Sequence, residues 1–135
     1  MSNGSQIFSF ADPGQHVVAR MVDEPVREVL GISSYPAELV VDSPFVSGSL
    51  RIFVTLEDLR DWGRCMDDLE RGESIVWPPE HRSPRVEISV DEELVVEIID
   101  APSSQVSVRV PLDIEYEDSI ENNRILLNNI LNRFS

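Results

Sequence analysis

The chain has no lysine, a single cysteine, two histidines, and no apolar run longer than a few residues. Each absence excludes something. Cys65 alone cannot form an internal disulfide, which suits a reducing compartment. His16 and His81 are far apart, and neither has metal-ligand spacing to the other or to Cys65, so no metal and no cofactor is expected. There is no Gly-x-Ser-x-Gly elbow, no phosphate-binding loop and no Gly-x-Gly-x-x-Gly turn; Ser47-Gly48-Ser49 reads as a bend before a strand. Acid pairs are too abundant for any one of them to stand out as catalytic. Asp91-Glu92-Glu93 lacks the ordered spacing of a calcium loop. The expectation is therefore a protein that is not an enzyme. The start, MSNGSQIFSF, lacks the basic and apolar regions of a signal peptide, and the apolar runs are too short to cross a bilayer, so the expected location is cytoplasmic.

Acid is what the chain has in excess. Twenty-five Asp and Glu face eleven bases, all arginine, for a net charge of −14. Such a surface repels nucleic-acid phosphates and anionic membranes and favours a basic protein partner. At 135 residues, with 41% hydrophobic side chains, a single domain over residues 1–135 is expected. A chain of that size buries roughly two-thirds of its unfolded surface, enough for a core without staples.

The pattern reads strands, helix, strands, helix. Gln6–Phe10, His16–Val22 and Ala37–Val41 are strand candidates separated by turn signals, with Gly31–Pro36 read as a loop. In Ser49–Thr55, Leu50, Ile52 and Val54 share one face. Thr55 then caps a helix with Asp58 at the capping-box position, and Gly72 ends it. Leu56, Leu59, Trp62, Met66 and Leu69 form its apolar stripe, with Trp77 expected at the rim of the core. After a Pro-rich connection over Trp77–Pro84, three further strands carry the inward sets Val86/Ile88/Val90, Leu94/Val96/Ile98 and Val106 to Ile114. Ser119 caps a final helix, Ile120–Phe134. The expected fold is α+β: an antiparallel sheet of about six to seven strands with one long helix (about 55–71) packed on it and a C-terminal helix.

The first helix turns Glu57, Asp61, Arg64 and Asp68 outward, a spacing that predicts ordinary surface ion pairs. The charge asymmetry lies further on. Val86 to Glu121 holds eleven acids and one base, Arg109. Glu87, Asp91, Glu97, Asp113 and Glu115 alternate with inward apolar residues. They are expected to point outward from neighbouring strands and form a partner-binding face.

Phe45, Ser47 and Gly48 before the alternating strand, Leu59, Trp62 and Leu69 on the helix, and Gly72-Glu73 leading to Trp77 carry a resemblance. The stretch Ala37 to Trp77 resembles a domain family of uncharacterised function found in high-GC, actinobacterial-type soil bacteria. That family is in turn similar to immunity proteins against wall-associated contact toxins. The resemblance implies a sheet-plus-helix layout and an immunity-like binding protein that occludes a basic toxin or nuclease. The rival expectation is a self-associating structural or regulatory module.

Overall fold

A computed structural model describes residues 6–79, 84–100 and 105–134. His81 and part of the Pro-rich connection lie outside the described residues, as does the side chain of Phe134. The element order is β1 (Gln6–Ala11), β2 (His16–Met21), β3 (Arg27–Val29), β4 (Ile32–Asp42), β5 (Ser47–Val54), α1 (Leu56–Glu70), β6 (Ile75–Trp77), β7 (Arg85–Val90), β8 (Leu94–Asp100), β9 (Val106–Leu112), α2 (Tyr116–Leu131) and a closing 3₁₀ turn, Asn132–Phe134. The α+β class is as expected, but the described strands make two antiparallel sheets instead of one. β1-β2-β4 continues to β5 along most of β4, while β3 pairs with the first residues of β4; β6-β7-β8-β9 form the second sheet.

α1 forms because its local signals agree. Thr55 and Asp58 close a reciprocal capping box at 2.9 and 3.1 Å. Gly72, at φ +81°, ends the helix as Gly72 N–H bonds Leu69 C=O and Glu73 N–H bonds Asp68 C=O, the paired bonds of a Schellman motif. The stripe Leu59, Trp62, Met66 and Leu69 is fully buried. The expected outer ion pairs are present, Arg64 with Glu57 and Asp61, and Arg71 with Asp68.

Four aromatic rings join both sheets to α1. Trp62 lies 4.8 Å from Phe8 of β1 and 5.5 Å from Trp77 of β6, with Phe10 edge-on to it. Trp77 is therefore central, not at the rim: it is fully buried, and its indole N–H donates to Asp58 C=O at 2.7 Å. β6 was hidden in the sequence because three residues beside two prolines show no alternation.

Two other boundaries differ from expectation. Ile32 to Pro36 belongs to β4, held by backbone pairing with β3 and β5 although its Ser-Ser pair lacks a strand's apolar pattern. α2 begins at Tyr116, so Ser119 is inside its first turn. Glu117 and Asp118 stabilise that earlier start through the helix dipole, and Glu115 at the N-cap makes no side-chain cap bond. Asn123, fully buried, then clamps α2 to the edge of β1. Its Oδ1 accepts from Ser9 N–H at 2.7 Å, and its Nδ2 donates to Ser9 C=O and Ser119 C=O. α2 crosses α1 where Gly63 leaves room for Leu127, whose methyl would stand 3.4 Å from an added Cβ.

Candidate partner-binding surfaces

Of the five carboxylates singled out in the sequence, two lie on strands and three do not. Glu87 and Glu97 are direct register neighbours on β7 and β8, in a row completed by Val76 and Arg109. Arg85 pairs with Glu87 at 3.1 Å. That patch of sheet thus holds two acids beside two arginines, and its local charge is close to balanced. Asp91 lies in the β7–β8 turn. β9 ends at Leu112, so Asp113 and Glu115 are in the connection to α2 instead of on a strand. Asp113 has a structural task. Its backbone N–H donates to Asp12 Oδ2 at 3.1 Å, tying this connection to the β1–β2 turn.

Asp12 receives further N–H bonds from Gly14 and Gln15 at 2.8 and 2.9 Å. The Asp113 N–H first, and then those of Gly14 and Gln15, hold its carboxyl below the ordinary value of 3.8, because each donor favours the charged form.

Carboxylates converge instead on the two helices. Glu70 of α1 and Glu117, Ile120, Glu121 and Arg124 of α2 line a depression of about 420 Å³. Arg124 donates to Asp67 and Glu70 at 2.9 and 2.7 Å, and the Glu70 bond first and then the Asp67 bond raise its already high pKa. These exposed pairs are each worth no more than about 1 kcal/mol. Glu115 and Asp118 line the adjoining depression beside Ser9 and Asn122.

Folding physics accounts for some of these acids and not for others. Glu117 and Asp118 occupy a first helical turn, where the dipole favours them. Asp67, Asp68 and Glu70 occupy the end of α1, where it disfavours them, and no base lies in that last turn. The outward set read from the sequence, Glu57, Asp61 and Asp68, does not include Asp67 or Glu70, the acids of α1 that meet Arg124 of α2. The signal was available in the acids at the wrong end of the helix, but only the α1–α2 crossing turned it into a site.

Two exposed apolar features were also missed. At the β3–β4 hairpin tip Leu30 is 97% exposed and takes a left-handed φ of +54°, followed by Gly31 at +79°. Leucine is strained there, since two positive φ values in a two-residue hairpin loop favour Asn-Gly or Gly-Gly. The second feature is an apolar slot of about 180 Å³ between the sheets, lined by Leu39, Val41 and Leu50 on one side and Ile98, Val106 and Val108 on the other.

Other candidates for chemistry are quiet. Cys65 is buried, and burial first, then the charge of Asp68, push its thiol up to about 12, so it is a poor nucleophile. No group of three or more His, Cys, Asp or Glu positioned to hold a metal occurs among the described residues. Among them, too, no helix is long and apolar enough to cross a membrane.

Neither a curated protein nor a solved structure gives a significant match to the chain. A family model does, and it extends well beyond the Ala37–Trp77 stretch that carried the resemblance in the sequence. It spans residues 5–135, taking in both sheets and both helices, and the chain belongs to that family of unknown function, DUF5959.

Proposed function

We propose that this protein is a non-enzymatic binding module whose α1–α2 surface engages a cationic protein. The observation that carries the reading is the set Asp67, Asp68 and Glu70 at the negative end of the α1 dipole, of which Glu70 shares the depression with Glu117 and Glu121. Carboxylates held where the helix itself disfavours them gain from an external positive charge. Arg124 and Arg71 supply only part of that charge from within. Opposite charge speeds encounter and makes binding sensitive to salt. The resemblance to wall-associated contact-toxin immunity proteins makes a basic toxin or nuclease the favoured class of partner and the cytoplasm the place of action.

The test compares cross-linked complexes recovered from native lysate at low and high salt. The unmodified protein is set beside Glu117→Gln/Glu121→Gln and beside Glu87→Gln/Glu97→Gln. The reading requires a basic protein that is recovered at low salt, lost with the helix variant and kept with the sheet variant. Equal recovery by both variants, or no basic protein under either condition, refutes it.

A further inference from the structure

The slot between the sheets lies at the end of the molecule away from the helices. β5 and β9 both start at it, and they run from there to α1 and α2 respectively. Along β9 the inward side chains pass from Val106, 56% exposed, to Val110 and Leu112, both buried, and β5 shows the same gradient from Gly48 to Val54. Among the described residues, the slot is therefore a stretch of core that no helix covers. At about 180 Å³ it exceeds the roughly 150 Å³ apolar cavity that accepts a benzene ring.

A ring stands next to it. Phe45, at the β4–β5 turn and one residue from the slot-lining Val46, is 95% exposed and so does not fill its own slot. The turn that carries it is pinned on both sides of the ring. Ser43 N–H bonds Val46 C=O at 2.9 Å, Ser43 Oγ bonds the same carbonyl at 2.8 Å, and Val46 N–H returns a bond to Ser43 Oγ at 3.0 Å. An exposed aromatic ring on a pinned turn thus neighbours an apolar hole large enough for a ring. A two-fold axis needs that arrangement, because each copy must offer both halves of the contact.

The charge pattern agrees. Residues 43–50 and 105–108, which border the slot, carry no charged side chain in a chain that is 27% charged, and Asp100 is the one charged residue of the lining among the described residues. Depletion of charge at the centre is what a protein–protein contact shows. Among the described residues β5 pairs with β4 alone and β9 with β8 alone, so both strands are sheet edges there.

We infer that two copies of this chain associate by reciprocal insertion of Phe45 of each into the inter-sheet slot of the other. The contact lies apart from the acidic helix surface and stands whether or not that surface binds a cation. Its salt dependence has the opposite sign. Each copy carries −14, so screening the repulsion strengthens self-association while it weakens binding of a basic partner.

Sedimentation equilibrium on the full chain, from micromolar to millimolar concentration and at low and high salt, tests this. The mass should rise from 15.3 kDa toward twice that value, more readily at high salt. Phe45→Ser removes the knob, and Gly48→Ile fills the hole. A side chain at Gly48 meets no atom within 4 Å and needs no unusual φ, so this second variant keeps the fold. Each variant should weaken association by about 100-fold or more. Mixed together they should recover a heterodimer, since one intact knob and one intact hole remain. A protein monomeric at every concentration and salt, a dimer that survives both substitutions through strand-edge pairing, or a mixture that forms no heterodimer would each overturn the inference.

Discussion

The two ends of the inter-sheet space are built differently. At one end α1 brings Trp62 against Phe8 and Trp77, α2 closes over β1 through Asn123, and the largest side chains are fully buried. At the other the sheets face each other without a helix among the lining residues, the filling residues are mostly Val and Leu with Ile98 and Gly48, and a slot remains. The same period-2 alternation runs along β5 and β9 at both ends. Alternation selects the face that turns inward; a third layer decides whether anything covers it.

Substitutions that should sharpen this contrast differ in size. Trp62→Ala at the helix-bearing end should cost about 3–5 kcal/mol in urea unfolding, as expected for emptying a large, fully packed site. A loss below about 1 kcal/mol would mean that the aromatic cluster is not the centre of the core. Asn123→Ala should cost about 1–3 kcal/mol, because it strips partners from Ser9 N–H and C=O where α2 covers β1. Asn123→Asp would separate loss of the donor from loss of the whole side chain.

Along β9 the two ends can be compared on one strand. Val110→Ala should cost about 1.5 kcal/mol, and Val106→Ala at the slot should stay under about 0.5 kcal/mol in the monomer, read from thermal melts of dilute protein. Equal costs would erase the difference between the ends.

The smallest effect is a dependence on pH at the joint between the β1–β2 turn and the β9–α2 connection. Asp12 has its pKa lowered in the folded protein, so the unfolded chain takes up the proton first as pH falls. Its contribution is complete above the unfolded value near 3.8 and is lost as pH drops through the lower folded value. Asp12→Asn should therefore reduce stability at neutral pH and converge with the unmodified protein in strong acid. A constant gap in chemical denaturation across that range would show that the carboxylate charge is not what the Asp113 and Gly14 N–H groups stabilise.

Much of the fold was legible wherever one residue's neighbours in sequence are also its neighbours in space. Thr55, Asp58 and Gly72 announce the limits of α1, and its stripe from Leu59 to Leu69 is buried as its period requires. β6 was not legible, because three residues beside Trp77-Pro78 carry no periodic signal and are held by pairing with β7. The candidate site was less legible still. Glu87 and Glu97 alternate as outward acids should, yet Arg85 and Arg109 share their patch.

The amino-acid sequence alone determined the charge of this protein, the inward faces of its strands and the full extent of its first helix, since each depends on composition or on contacts a few residues apart. The tertiary structure decided that the strands divide into two sheets, that Glu70 meets Glu117 and Glu121, and that Phe45 stands beside an apolar slot. Those meetings depend on how separate elements pack, and no local periodicity records the angle at which two layers pack.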